Sequence, residues 1–359
     1  MIAAEHFLLL GTAFAALAFA LAWTARRLAR GRCAVHPHTL ATLYAAALAG
    51  PPLATTWLVV MVFLPTWWLS EPAFDAAHAW PLHDVHLLGG VLGGDRERLL
   101  AVTSVAVLAV LAVALTIAGL RGRVAVRRTL DVLRDPGHSH PLDEEQLSDL
   151  TTLAAGMQLG LHVIPASYPI AFVWGTRRTT LILSSGIVRL LTHDQLQAVL
   201  AHEGAHHARR DNLGRLVLLV CAYASLAMPL SRRILTWYEE QVELVCDEIA
   251  ARTTRAPLEL ASALVSIRRS TFARPSRALA TMAMTSSLAP PDRASFEQRV
   301  RRLVAFSETP LGDRSRLIGS FWPLGRLVLL AFALTLGAVA LGAPLATHHA
   351  IETCLRLFG

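Results

Sequence analysis

The chain has 359 residues and a formal net charge of +7. Hydrophobic residues make up 54% and charged residues only 16%, well below the roughly 25% of soluble domains, which speaks against an ordinary soluble protein. Every basic residue is arginine, and the arginines cluster at the ends of apolar runs, which speaks for membrane topology and against nucleic-acid binding. The four cysteines show no CxxC or paired spacing, which speaks against a disulfide framework or a cysteine zinc site.

In chain order, Phe7 to Ala25 is uncharged and long enough to span a bilayer, and Arg26, Arg27, Arg30 and Arg32 follow it. With no basic region ahead of it and no cleavage site, this run reads as an anchor and not a removed signal. Thr39 to Ser70 is again uncharged; Gly50-Pro51-Pro52 interrupts it, and it reads as one kinked span over about 45–70. Leu99 to Leu120 is a third span, followed by Arg121, Arg123, Arg127, Arg128 and Arg134. The three successive loops carry four, two and five arginines, which puts the first and third in the cytoplasm and the amino terminus outside. A fourth span is expected over about 327–347.

Residues 135–320 form the one stretch of soluble character. A turn at Asp135-Pro136-Gly137 leads to an expected helix over Asp143–Leu161, with Leu147, Leu150, Leu153 and Met157 as its stripe. Strands are predicted near Ile170–Trp174 and Thr180–Ser184, with Ser185-Gly186 as a turn. Thr192 and Gln195 form a capping box that opens the next helix. Further helices are expected near Leu258–Ser270 and Phe296–Phe306, with a proline-rich loop between them. Leu216 to Ser231 is uncharged but short. A single crossing there would place later residues opposite the preceding helix, so the expectation is a bent segment, broken near Pro229, that lies against the domain or dips into the inner leaflet, with an ordinary buried core helix as the equal alternative.

The helix after Thr192 carries His202-Glu203-Gly204-Ala205-His206, an HExxH. Positions four apart share a helix face, so His202 and His206 can hold one zinc ion, with Glu203 about 100° around the helix beside a metal-bound water. Catalytic zinc takes a third protein ligand, and the best downstream candidate is Glu243, with Glu239 and Glu240 as competitors. Asp247, one helical turn further on, would accept the free N–H of a zinc histidine and fix its tautomer. Zinc supplies an acidified water and a Lewis acid; Glu203 takes the proton and later delivers it to the leaving amine. A donor for the oxyanion is not identified, and Tyr238, Tyr168, His162 and Arg209 are candidates only. A weaker constellation in the outer loop, His78, His83 and His86 with Asp75 and Asp84, could bind a second metal, although a solvated loop is the usual outcome for such a stretch.

With HEGAHHARRDN, then MPL, then VELVCDEIA, the chain resembles the membrane gluzincins of the β-lactam sensor-transducer family over roughly Pro169 to Arg252. The resemblance implies a bacterial receptor peptidase that acts with a winged-helix repressor. It assigns zinc to His202, His206 and Glu243, the catalytic role to Glu203 and the supporting acid to Asp247. That family carries an extracellular penicillin-binding domain after its last span. This chain ends at Gly359, so the member expected here lacks that sensor.

The expected fold is a mainly α membrane protein with four transmembrane helices. A cytoplasmic α+β gluzincin metalloprotease domain is inserted between the third and fourth. Residues 1–134 would be the membrane part, 135–320 the zinc domain, and 321–359 the fourth span and an outer tail. The expected function is a zinc endopeptidase that cleaves a cytoplasmic protein, repressor or itself, in signalling at the cell membrane. The bilayer would be a partner, a homodimer is allowed, and no direct nucleic-acid binding is expected. The alternatives are a quality-control gluzincin protease and a non-catalytic receptor or scaffold with a structural metal.

Overall fold

The structure is a computed structural model. It describes residues 2–30, 36–69, 116, 120, 124, 142–176, 179–224, 228–273 and 293–308. Two long helices come first: α1 (Ile2–Arg30) and α2 (Pro37–Leu69). They are followed by α3 (Glu144–Gly156), β1 (Gly160–Ile164), β2 (Ala171–Trp174) and β3 (Thr180–Ser184). It continues with α4 (Ser185–Leu190), α5 (His193–Arg209), α6 (Asp211–Ala224), α7 (Met228–Thr254), α8 (Pro257–Ala273) and α9 (Arg293–Glu308).

The three strands form a sheet of order β1-β3-β2. β1 runs parallel to β3, pairing Gly160 with Thr180, and β2 runs antiparallel to it, pairing Val173 with Leu181. Side chains alternate across the sheet, as a period of two requires. Ala171, Val173, Leu181 and Leu183 enter one core, shared with α3, α5, α8 and α9. Phe172 and Ile182 enter a smaller one with Ile164 and Ile170. Among the described strands β2 and β1 are therefore the edges, and β2 lies against α5.

The expected helix over 143–161 stops at Gly156. Gln158 turns into the left-handed region at φ 59°, and the chain leaves as β1, a strand the periodicity had merged into the helix. Ser185-Gly186 does not form a simple turn; it opens α4, whose N-cap Ser184 accepts from the Ile187 N–H. The capping box at the start of α5 is formed, with Thr192 Oγ1 accepting from Gln195 N–H and Gln195 Oε1 from Thr192 N–H, both at 3.3 Å. Leu216 to Ser231 divides between α6 and α7, and Pro229 sits in the first turn of α7, where its missing N–H costs nothing.

The expectation of four transmembrane helices is corrected. Among the described residues no helix is long and apolar enough to cross a membrane. The described part of α1 runs straight on through the charged Arg26 and Arg27, and α2 carries Pro51-Pro52 within it. Part of their apolar content is spent on protein: Ala22, Leu40, Tyr44, Ala45 and Leu48 are buried in a second core with Leu218, Ile234, Tyr238, Val242 and Cys246 of α6 and α7. Arg26 fixes the arrangement with a bidentate pair to Glu240, at 2.7 and 3.2 Å, and lies over the Trp237 ring. The spans expected at 99–120 and 327–347 lie outside the described residues, apart from the isolated Thr116 and Leu120.

Candidate metal centre

The centre lies where the two larger cores meet, between α5 and α7. On α5, Leu196, Val199 and Leu200 face the sheet core and Ala205 faces the helical one, so the helix is anchored on both sides. On the same part of the helix, His202, Glu203 and His206 are buried polar groups. Such groups need partners, and α7 supplies most of them.

His202 Nε2 and His206 Nε2 are 3.3 Å apart, with their rings at 81° to one another. Glu243 reaches both: its Oε2 lies 3.5 Å from His202 Nε2 and its Oε1 lies 3.6 Å from His206 Nε2. Donor atoms at 2.0–2.1 Å from a tetrahedral ion are separated by roughly 3.4 Å. The three separations observed match that edge, so these donors fit a zinc ion, and the three residues form a group able to hold a metal. The competitors point elsewhere: Glu240 pairs with Arg26, and Glu239 pairs with Arg215 at 2.7 Å.

Both histidines are backed at Nδ1 by a carboxylate. Asp247 Oδ1 lies 3.0 Å from His202 Nδ1, though off the line of a straight hydrogen bond. Asp211 Oδ2 lies 3.0 Å from His206 Nδ1. The second arrangement was not foreseen. Asp211 follows Arg210, whose left-handed φ of 56° ends α5, so no helical spacing connects it to His206. Arg209 Nε donates to both Asp211 oxygens at 3.2 Å, and Cys246 Sγ donates to Oδ2 at 3.4 Å. His206, Asp211 and Cys246 also cluster at metal-binding distances, but the Arg209 guanidinium already supplies the cation there. Arg209, one of the oxyanion candidates, is thus committed to Asp211.

A second unforeseen group is Arg299 of α9, 2% exposed. Its Nε and Nη2 donate to the Asp247 oxygens at 2.7 Å, and its Nη1 lies 3.0 Å from Glu243 Oε2. Burial alone would raise both carboxyls. The guanidinium and the imidazoles outweigh it and hold Glu243 and Asp247 below the usual carboxylate range. Burial opposes charge on His202, yet Asp247 and Glu243 prevail and push its imidazole up to about 10. Asp211 is held low in spite of its burial by His206 and Arg209.

Glu203 is 1% exposed, and its Oε2 accepts from the Val173 N–H of β2 at 3.1 Å. The general-base candidate is thus oriented by the sheet edge. His78, His83 and His86, with Asp75 and Asp84, lie outside the described residues.

Residues 154–292 match the model of Peptidase family M48. The match supports a zinc metallopeptidase family and does not single out the β-lactam sensor-transducer type. No curated protein and no solved structure matches the chain. The M48 stretch holds His202, Glu203, His206, Asp211, Glu243 and Asp247, but under half of the chain. It stops one residue before α9, so Arg299 completes the centre from beyond it. It also lies inside the 135–320 region expected as the catalytic domain.

Proposed function

We propose that the chain is a zinc-dependent endopeptidase that cleaves a protein substrate in extended form. The observation that carries this is the convergence of His202, His206 and Glu243, with Glu203 adjacent to His202 on α5 and tied to the Val173 N–H of β2. When bound, zinc lowers the pKa of a water to about 7 and polarises a carbonyl. His202, His206 and Glu243 hold the ion, and Asp247 and Asp211 keep the two imidazoles turned with Nε2 inward. Glu203 takes the proton of the attacking water and passes it to the leaving amine as the peptide bond breaks.

A structural metal would be closed by four protein ligands. Among the described residues the group facing this point has three, which favours the enzyme over the scaffold. From the sequence resemblance we take a repressor-type partner, or the chain itself, as the substrate to test first.

The test is Glu203→Gln in the full chain, with zinc content measured alongside hydrolysis. Zinc should remain at one per chain while cleavage falls by about 10²–10⁴-fold, the usual contribution of a general base. Cleavage at the parent rate would overturn the assignment.

A further inference from the structure

The two histidines share α5 and move together, whereas Glu243 comes from α7 and depends on how that helix is held. Metal–ligand distances tolerate errors of only about 0.2 Å. A side chain ends about 6 Å from its helix axis, so a roll of about 10° carries that end by about 1 Å. Apolar packing resists such a roll weakly, because it has no preferred direction.

Arg26 of α1 supplies direction. Its Nη1 and Nη2 donate to the two Glu240 carboxylate oxygens at 2.7 and 3.2 Å, a fork that fixes angle as well as distance. The guanidinium also lies 4.8 Å from the centre of the Trp237 ring. Phe19 of α1 and Tyr44 of α2 flank the same ring, with centroids 5.8 and 5.9 Å away. Trp237, Glu240, Glu243 and Asp247 follow one another at spacings of three, three and four residues, so they run down one side of α7. The first two are gripped by the amino-terminal helices, and the last two face His202. The grip is mostly shielded, with 13% of the Arg26 side chain and 23% of the Glu240 side chain exposed. Its neighbour on α7, the pair of Arg215 and Glu239, is 44% and 35% exposed and therefore more screened.

We propose that Arg26 is a positioning residue of the metal centre: by fixing Glu240 it sets the roll of α7 and so places Glu243 on the ion. This rests on the zinc reading above. The centre then draws on residues beyond the M48 stretch at both ends, since α1 ends well before residue 154 and Arg299 follows residue 292. A merely structural clamp would contribute stability and leave the folded centre unchanged. A positioning clamp contributes metal affinity within the folded protein.

The experiment uses the full chain, at a temperature where circular dichroism shows each variant folded. Zinc Kd is measured by competition with a chelator, and the visible absorption of the cobalt(II) form reports ligand number and geometry. Arg26→Ala should weaken zinc about tenfold, the lower end of the loss for a group that supports a ligand, and should change the cobalt spectrum. Arg26→Lys keeps the charge without the fork and should fall between. Exchanging the partners, Arg26→Glu with Glu240→Arg, should recover most of the affinity that Arg26→Glu alone loses. Should Arg26→Ala not fold, Arg26→Lys and the exchanged pair decide in the same way. Parent-like affinity and cobalt spectrum in Arg26→Ala, or an exchanged pair no better than Arg26→Glu, would overturn the proposal. A parent chain that binds neither zinc nor cobalt would overturn the zinc reading and this proposal with it. Zinc bound without any peptide hydrolysis would overturn the peptidase reading alone.

Discussion

Arg299 closes on Asp247 through two parallel hydrogen bonds of 2.7 Å, from Nε and Nη2 to the two carboxylate oxygens. Its third nitrogen faces Glu243 at 3.0 Å. One buried cation therefore braces both a proposed metal ligand and the carboxylate behind His202. Replacing it by methionine keeps much of the volume and leaves two buried carboxylates facing each other. Breaking such a pair from one side costs about 3–5 kcal/mol. Arg299→Met should lower the unfolding temperature and weaken zinc binding, while Arg299→Lys, which keeps charge but loses the fork, should fall between. Thermal unfolding and zinc competition with a chelator read the two effects. Parent-like values for Arg299→Met would show that α9 is dispensable to the centre.

The two histidines have matching supports, Asp247 behind His202 and Asp211 behind His206. Loss of such a support typically costs 10–100-fold in metal affinity. Asp211→Asn should therefore weaken zinc by about that factor. It also leaves Arg209 without its anion, so stability should fall too. Asp247→Asn should act similarly through Arg299. Equilibrium zinc titration of each variant gives the answer, and an affinity unchanged in Asp211→Asn would remove Asp211 from the centre.

The parts of this centre that were legible in the sequence are those set by local geometry. His202, Glu203 and His206 lie within five residues of one helix, and the Thr192–Gln195 box fixes where that helix starts. Glu243 and Asp247 could be paired with them because i and i+4 share a face of α7. Asp211 and Arg299 were missed for different physical reasons. Asp211 comes after a left-handed arginine, a conformation that leaves no periodic trace. Arg299 meets Asp247 across 52 residues, on a helix with an ordinary basic face. The apolar runs at the amino end misled because burial against α6 and α7 and burial in lipid favour the same residues. β1 was absorbed into the preceding helix because Leu159 and Leu161 extend its apolar pattern past Gly156.

Gly186 tests the packing of the first turn of α4 against the connection between β1 and β2. A Cβ there would sit 2.5 Å from Ser167 C=O and 2.8 Å from Ala166 C=O, both backbone atoms, while Gly186 N–H donates to Ala166 C=O at 2.8 Å. Neither neighbour can give way without moving the chain that leads into β2. Gly186→Ala should thus destabilise by about 1–3 kcal/mol, the usual cost of overpacking. Gly156→Ala, where a Cβ meets nothing within 4 Å, should be nearly neutral or slightly stabilising. Chemical denaturation of the pair makes the comparison, and equal stabilities would contradict the close approach.

The charge arrangement also sets a pH dependence that differs between metal-free and zinc-loaded protein. Without metal, the His202 imidazole titrates near 10 against an ordinary 6.5, so its protonated form stabilises the fold. That contribution is complete below about 6.5 and is lost as pH rises toward 10. Glu243, Asp247 and Asp211 are held low, so their contribution is present above about 4 and is lost as pH falls. Chelator-treated protein should therefore be most stable between about pH 5 and 6.5 and should soften steadily from pH 7 to 10. A zinc-bound imidazole is neutral already, so the loaded protein should not show that alkaline softening. Loading must expel the His202 proton, so zinc affinity should climb about tenfold per pH unit up to the neighbourhood of 10. Unfolding temperatures across pH 5–10, with and without chelator, separate the two curves. Parallel curves would mean that His202 does not carry the proton that the metal displaces.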